Sequence, residues 1–295
     1  MPDKLPDNSM TRNEFLRRAS GMSLGAAASS LSGSAHADTP GRYRTLGRTG
    51  LRVTAVGFGT VHADRPNVCA RALDRGITFY DTGRMYSNGR NEEMIGKVLG
   101  SRRKDVVIQS KFAGGLIRDA GAIRKSIEES LRALRTDYLD IVLMHSISSE
   151  DELMSGAAKE ALTKAKEAGK IRFSGFSSHS GTAWRLLDKA TSDGFFDVAL
   201  VPYNHAGHFD HTVYRGFHVD WNQTELEKAM ERASAAGMGI AAMKTCSAGP
   251  YASEPGGKAT FPEGLAWNLR NRNIATMAVC MSSYQEVDED TAVMG

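Results

Sequence analysis

The sequence predicts an α/β fold, a (β/α)8 barrel (TIM barrel) preceded by a short N-terminal β-hairpin. Eight short apolar runs, each β-branched or edged by glycine, follow one another along the chain, and amphipathic helical patterns separate them. Strand–helix alternation repeated eight times is typical of a closed parallel barrel. A dinucleotide-binding open sheet would require GxGxxG after its first strand, and Gly57-Phe58-Gly59-Thr60 does not complete that motif.

The elements follow in order. Residues 43–54 are predicted to form the hairpin, with glycines 47 and 50 marking its turn. The eight predicted strands are residues 53–59, 78–81, 106–111, 139–145, 172–177, 198–203, 239–244 and 275–280. The predicted helices include residues 92–99, 123–134, 151–168, 184–190, 226–235 and 262–270. In the second of these, Ile123, Ile127, Leu131 and Leu134 recur at helical spacing.

Composition excludes several classes of protein. With 295 residues, 41% of them hydrophobic, the chain can bury a sizeable core, yet it has no apolar run of about 18 residues that would span a membrane. The net charge of +3 is spread out, without the basic stripe and interleaved aromatics of a nucleic-acid-binding protein. Cys69, Cys246 and Cys280 are odd in number and lack metal-ligand spacing, so we expect buried thiols rather than a disulfide framework.

Residues 1–37 are predicted to be an export signal that is removed, residues 38–42 a linker and residues 43–295 the barrel. Arginines 12, 17 and 18 give a positive front, residues 19–31 are small and weakly apolar, and Ala35-His36-Ala37 fits a cleavage site. Residues 11–17 resemble the twin-arginine export motif, with Asn13 in place of its second arginine. This resemblance implies the export machinery as a partner and a periplasmic or exported protein. A disordered or expression-derived tail, with a cytoplasmic protein, is the alternative.

Four chemically capable side chains lie at or just after predicted strand ends. Asp81, Lys111 and His145 end the second, third and fourth strands, and Tyr86 follows the second. In a (β/α)8 barrel these ends converge on one mouth. A phenol, an ammonium, a carboxylate and an imidazole gathered there can deliver a proton to a carbonyl oxygen, if a hydride donor lies beside them. Each residue alone has a plainer interpretation, as a turn, a solvated lysine or a structural histidine.

The string from Gly76 to Tyr86, Gly-Ile-Thr-Phe-Tyr-Asp-Thr-Gly-Arg-Met-Tyr, resembles the aldo-keto reductase family, and the resemblance extends over residues 43–290. It implies the barrel fold and reduction of aldehyde or ketone carbonyls to alcohols with NADPH or NADH. By the same resemblance Tyr86 is the proton donor, and Lys111 lowers the pKa of its phenol. Asp81 holds the lysine, and His145 orients the substrate carbonyl.

The resemblance also implies a nicotinamide cofactor, NADP or NAD, and a set of residues that contact it. This set is Ser177, Ser178, Met243, Lys244, Thr245, Ser247, Gly249, Ser282, Glu289 and Asp290. Three positions depart from the family pattern. Leu200 replaces a glutamine, Met243 replaces an aromatic residue, and Glu286 stands where an arginine would read the 2′-phosphate of NADP. A carboxylate there would repel a phosphate, so the sequence argues against a strong NADP preference.

The substrate is expected to be a small-molecule carbonyl compound, with His62, Met85, Phe112 and Leu116 lining its pocket by position alone. The sequence ends at Gly295, where many relatives continue into a further helix and a tail, so we expect a truncated barrel with an open pocket. Histidines 205, 208 and 211 fit no helix face, and no metal site is expected. Two other functions remain open: a non-catalytic cofactor-binding regulatory subunit, and an oxidoreductase that cycles one tightly bound cofactor.

Overall fold

The computed structural model describes residues 41–113, 119–210 and 218–295. Eight parallel strands lie at its centre: β3 (Val56–Gly59), β4 (Phe79–Asp81), β5 (Val107–Phe112), β6 (Leu139–Met144), β7 (Ile171–Ser177), β8 (Val198–Pro202), β11 (Gly239–Met243) and β12 (Ile274–Cys280). They form a closed barrel in the order β11-β12-β3-β4-β5-β6-β7-β8, with β8 pairing back to β11. The predicted (β/α)8 barrel is therefore confirmed, and each predicted strand coincides with an observed one to within three residues.

Helices surround the barrel in the described residues. They are α1 (Pro66–Asp74), α2 (Arg90–Leu99), α3 (Ala120–Leu134), α4 (Glu150–Leu153), α5 (Gly156–Glu167), α6 (Ala183–Asp193), α7 (Gln223–Ala235), α8 (Phe261–Arg270) and α9 (Tyr284–Ala292). The helix predicted over residues 151–168 is two helices, because Ser155 adopts a non-helical conformation and caps the second one through Ala158 N. Among the described helices, none combines the length and apolar character needed to cross a membrane.

The predicted hairpin is present and closes one end of the barrel. It consists of β1 (Tyr43–Thr45) and β2 (Arg52–Thr54), which pair antiparallel around a 3-10 turn, Gly47–Thr49. Gly47 lies so close to residues 237–239 that an added Cβ would be 2.4 Å from the Gly239 nitrogen. Leu46, Leu51 and Val53 join the apolar cluster that fills the barrel interior, so the hairpin acts as its hydrophobic floor.

A second two-stranded ribbon, which the sequence patterns did not predict, lies between β8 and α7. It pairs β9 (His208–Asp210) with β10 (His218–Asp220) in antiparallel register. The side chain of Phe209 is fully buried, with its ring 6.1 Å from that of His179 after β7. One face of the ribbon is therefore packed against the barrel, and the other carries His208, Asp210 and His218.

Candidate active site

A buried ion pair forms the base of the site at the carboxyl ends of β4 and β5. Lys111 Nζ lies 2.6 and 2.7 Å from the two Asp81 carboxylate oxygens and donates to the Thr82 carbonyl at 2.7 Å. Gln109 donates to Asp81 Oδ1 at 2.7 Å, so the carboxylate has three hydrogen bonds from side chains. The exposed fractions are 2% for Lys111 and 4% for Asp81, and such burial requires the full pairing seen here.

Tyr86 lies above this pair in the loop that follows β4. Its ring centroid is 4.9 Å from Lys111 Nζ and 5.6 Å from the centroid of His145, with the two rings nearly perpendicular. The ring of His179 lies a further 6.3 Å from that of His145. The four side chains that the sequence singled out as an acid–base group are thus brought together at one mouth.

The loop that carries Tyr86 is held by contacts that sequence reasoning missed. Arg84 binds the buried Glu92 at 2.5 Å, and Ser110 Oγ donates to the other oxygen of Glu92 at 2.6 Å. After Tyr86 the backbone is left-handed for three residues, with φ of 49°, 55° and 86° at residues 87–89. The Arg84 guanidinium occupies the space where a Cβ on Gly89 would lie, so the turn closes only around a glycine.

Burial, rather than the lysine, decides the acidity of Tyr86. Desolvation raises the pKa of the phenol, and the nearby Lys111 ammonium opposes that shift without reversing it. Lys111 thus acts on the phenol in the expected direction, but the net pKa of Tyr86 in the protein without bound ligand is raised. The pKa of Lys111 is itself raised, because Asp81 and Tyr86 outweigh the opposite effect of its burial. Both groups thus carry their protons at neutral pH.

His145 is a neutral imidazole in this environment. Burial first, and the charge of Lys111 second, lower its pKa to about 3. Its backbone nitrogen donates to the Phe112 carbonyl at 2.9 Å, which fixes the start of the loop after β6. A neutral ring can orient a carbonyl group by hydrogen bonding, but it does not supply a proton from an imidazolium.

On the opposite side of the mouth are several residues of the predicted cofactor set. Ser177 and Ser178 are buried at the end of β7. The Ser177 hydroxyl oxygen accepts from Ser146 N at 3.0 Å, and that of Ser178 accepts from Ser180 N at 3.1 Å, so each keeps its own proton to donate. Lys244 follows β11 with φ of 62°, and its Nζ lies 4.8 Å from the centre of the Phe209 ring. Partial burial lowers the pKa of Lys244.

The remaining cofactor candidates differ in exposure. Met243 packs in the apolar barrel interior together with Leu200, and Thr245 is buried. Ser247 is exposed, and Gly249, with φ of 83°, has open space around it. Ser282 lies just before α9, and Glu289 and Asp290 lie within it. Asp290 is fully buried, and Glu289 accepts a hydrogen bond from Gln285 at 2.7 Å.

Glu286 forms a helix cap. Its backbone nitrogen bonds to Ser283 Oγ at 3.2 Å, and its carboxylate accepts from Ser282 N at 2.6 Å. Ser283 is thus the N-cap of α9, and the Glu286 side chain reaches back to the residue before it. The residue is 2% exposed, so its interaction with the helix start is the main feature of this position.

The predicted pocket residues do not share one surface. Met85 lies beside Tyr86 with half of its surface exposed. His62 follows β3 and is exposed as a residue, but part of its ring is buried. That burial, and the charge of Lys244, lower the pKa of His62. Phe112 is 1% exposed and packs in the core between the barrel and the helices, so it does not line the mouth. Leu116 lies outside the described residues.

This structure defines a (β/α)8 barrel whose C-terminal mouth carries a tyrosine, a buried lysine–aspartate pair and a neutral histidine. The chain belongs to the aldo/keto reductase family, whose model matches residues 57–253. It is accordingly an NAD(P)H-dependent oxidoreductase that acts on carbonyl groups.

Two curated relatives and one solved structure illustrate the likeness. The chain is 30% identical to L-galactose dehydrogenase of Arabidopsis thaliana over 285 residues, which cover 85% of this chain and 87% of that protein. A probable voltage-gated potassium channel subunit beta of Oryza sativa matches at 40% identity over 121 residues, 35% of this chain and 37% of that one. An aldo-keto reductase of Klebsiella pneumoniae in complex with NADPH shares the fold, with a TM-score of 0.68, 23% identity and coverage of 87% and 90% of the two chains.

Proposed function

We propose that Tyr86 protonates the oxygen of an aldehyde or ketone while a nicotinamide cofactor delivers hydride to its carbon. The observation that carries this assignment is the convergence of Tyr86, Lys111 and His145 around one point at the mouth. An alkoxide is far more basic than a phenolate, so a phenol whose pKa is raised still gives up its proton as negative charge develops on the substrate oxygen. Lys111 then stabilises the phenolate that remains.

His145 acts on the substrate as a neutral hydrogen-bonding group. Its ring lies edge-on to that of Tyr86, with the ring centroids 5.6 Å apart, so both side chains can reach the same oxygen atom. Asp81 does not touch the reacting atoms in this mechanism. It is a positioning residue that fixes the Lys111 ammonium beneath the phenol.

The residues at the other side of the mouth fit a nicotinamide dinucleotide. When it is bound, the cofactor supplies the hydride. Ser177 and Ser178 each retain a hydroxyl proton to donate to the carboxamide. The partly buried Lys244 cation faces the Phe209 ring, and no ion pair joins it to a carboxylate among the described residues. A cation that has lost part of its hydration without gaining a carboxylate favours an anionic ligand such as a pyrophosphate. We assign Lys244, Thr245 and Gly249 to that group.

The start of α9 supports a proposal on the choice between NAD and NADP. There the Glu286 carboxylate, which accepts from Ser282 N, already occupies the helix N-terminus, and this weakens the site for a 2′-phosphate. We therefore propose NAD as an equal or preferred cofactor. A nearby guanidinium, that of Arg65, donates to the Ser282 carbonyl at 3.4 Å and is the group that would favour NADP instead.

The substrate we propose is a polar carbonyl compound or, in the reverse direction, a polar alcohol such as a sugar. The support is the likeness to L-galactose dehydrogenase, which extends over nearly the whole of both chains. The mouth supports the same chemistry in both directions, because the Tyr86 phenolate held by Lys111 is a base for alcohol oxidation.

The experiment follows reduced cofactor by absorbance while aldehydes, ketones and sugars are added to the full chain. Tyr86→Phe should lower turnover by about 10²–10⁴-fold, since it removes the general acid. Its affinity for NADH or NADPH, measured by fluorescence titration, should stay near that of the native protein. Unchanged turnover in this variant would overturn the assignment of Tyr86.

The local match to a potassium-channel β subunit favours a second function, a cofactor-binding regulatory subunit. The same titration separates the two. Cofactor binding without oxidation by any carbonyl would support the regulatory function, or an enzyme that recycles one tightly held cofactor. In the latter case the purified protein would carry the cofactor through dialysis.

For localisation we propose export of the folded protein through the twin-arginine pathway, with residues 1–37 removed. The support is the sequence pattern of Arg17-Arg18 and Ala35-His36-Ala37, which lies outside the described residues. Because that pathway carries folded proteins, the cofactor could be bound before transport. Cell fractionation, together with N-terminal sequencing of the purified protein, tests the proposal, and a cytoplasmic protein that starts at Met1 would refute it.

A further inference from the structure

We propose that the outer face of the β9–β10 ribbon is a binding site for a first-row divalent metal ion, with His208, Asp210 and His218 as ligands. One ligand atom from each of these side chains lies within 4.8 Å of the other two. Imidazole nitrogen and carboxylate oxygen are the ligands that Zn²⁺ takes at about 2.0–2.2 Å. Small rotations of the three side chains would therefore place their ligand atoms around one ion.

The register of the ribbon creates this cluster. His208 pairs with Asp220 and Asp210 pairs with His218, while Phe209 and Val219 pair between them. Because side chains alternate along a strand, these four polar residues share one face, and Phe209 points from the other face into the barrel mouth. Two His-x-Asp segments thus combine across the ribbon, although neither has a metal-ligand spacing of its own.

His218 lies between two carboxylates, so a metal ion bound at one ring nitrogen would replace the proton shared there and leave a carboxylate on the other. His218 has Nδ1 facing Asp210 Oδ1 at 2.6 Å, and its Nε2 lies 2.9 Å from Asp220 Oδ1. A carboxylate on the far nitrogen orients a metal-bound imidazole and raises its basicity. The other imidazole, that of His208, has a buried Nδ1 with no hydrogen-bond partner in the described part of the chain, and its ring lies 5.1 Å from that of His218.

The site is open to solvent, which leaves positions for water. The side chains of Asp210 and His218 are each nearly half exposed, and that of Asp220 is more so. Three protein ligands and an open position give a four-coordinate site that a metal can enter directly. The ion would bridge β9 and β10, and so would fix the strand that carries Phe209 against His179 and Lys244.

The test uses the untagged full chain and Zn²⁺, with binding measured by isothermal titration calorimetry and by the rise of the melting temperature. The native protein should bind one ion, and binding should raise its melting temperature. His218→Ala and His208→Ala should abolish that binding. Asp220→Ala should weaken it by about 10–100-fold, as expected for an orienting group.

His205→Ala is the matched control, because its ring packs on Tyr251 outside the cluster. This variant should bind Zn²⁺ as the native protein does. Titration with Co²⁺ gives a second readout, since its visible absorption reports nitrogen and oxygen ligands directly. No binding by the native protein, or equal binding by both cluster histidine variants, would overturn the proposal. The thermal melts show whether each variant is folded.

Discussion

The two ends of the barrel show how one fold separates stability from chemistry. At the N-terminal end, the hairpin places Leu46, Leu51 and Val53 against the apolar interior. At the C-terminal end, the same interior finishes in the ion pair of Asp81 and Lys111. The N-terminal end thus buries apolar side chains, and the C-terminal end buries an ion pair. This division is general in (β/α)8 barrels, whose active sites lie at the C-terminal face.

The two ends contribute differently to the free energy of unfolding. Full burial of a leucine side chain such as that of Leu46 stabilises the fold by about 1.5–3 kcal/mol. A buried ion pair loses hydration, and its own attraction largely offsets that loss, so the pair contributes little net stability. Removing one partner is nevertheless costly, because the other charge stays buried alone. The mouth is therefore intolerant of single changes for a reason unlike that of the floor.

The largest effect is expected from Lys111→Met. The change leaves the Asp81 carboxylate buried, with Gln109 as its one remaining side-chain donor among the described residues, and should cost about 3–5 kcal/mol of unfolding free energy. It also removes the cation that limits the rise of the Tyr86 pKa, so the rate of carbonyl reduction should fall as well. Urea denaturation and steady-state kinetics measure the two effects.

The double variant Asp81→Asn with Lys111→Met is the control for that prediction. It removes both charges, so stability should recover toward the native value while reduction stays low. If the double variant were as unstable as the single one, the unpaired Asp81 charge would not be the cause of the lost stability. The proposed difference between the two ends of the barrel would then be wrong.

A smaller effect is expected from Leu46→Ala at the floor. The residue is fully buried, so the variant should lose about 2–5 kcal/mol of stability through lost burial and a cavity. Its turnover per folded molecule should remain native. Met85→Ala, at a half-exposed position beside Tyr86, is the matched control and should leave stability nearly unchanged. Loss of turnover in folded Leu46→Ala would show that the ends are coupled.

The smallest effect concerns pH. The pKa of His145 is lowered to about 3, so the ring is neutral at any higher pH, and the pKa of Tyr86 is raised, so the phenol stays protonated. Neither group changes charge between about pH 5 and 8. The value of kcat/KM for carbonyl reduction, which reports groups of the free enzyme, should therefore be flat over that range. A rate that falls as pH rises through about 6.5 would mean that a histidine proton is transferred.

Much of this molecule could be predicted from its sequence. The eight strands were visible because parallel barrel strands are buried on both faces and read as short apolar runs. The four mouth residues were placed because each stands at or after a strand end, where the barrel topology brings them together. Polar Gln109 and Ser110 inside a fully buried strand were a signal of the site that sequence reasoning did not use.

Other features could not be predicted for physical reasons. Because both faces of β5 are buried, its pattern does not show that Lys111 faces the site while Phe112, one residue later, faces the helices. The pKa of Tyr86 depends on desolvation, which no motif encodes. The ribbon face depends on the pairing of His208 with Asp220 across strands, and a spacing along the chain cannot show it.

The left-handed turn after Tyr86 has a consequence for protein engineering. A library that randomises residues 84–92 to widen the mouth is not sampling nine independent positions. Arg84, Gly89 and Glu92 depend on one another. The Arg84 guanidinium occupies the space that a side chain at position 89 would need, and it forms an ion pair with the buried Glu92 carboxylate. Substrate scope is better varied at the exposed Met85, which changes the rim and leaves the support of the phenol intact.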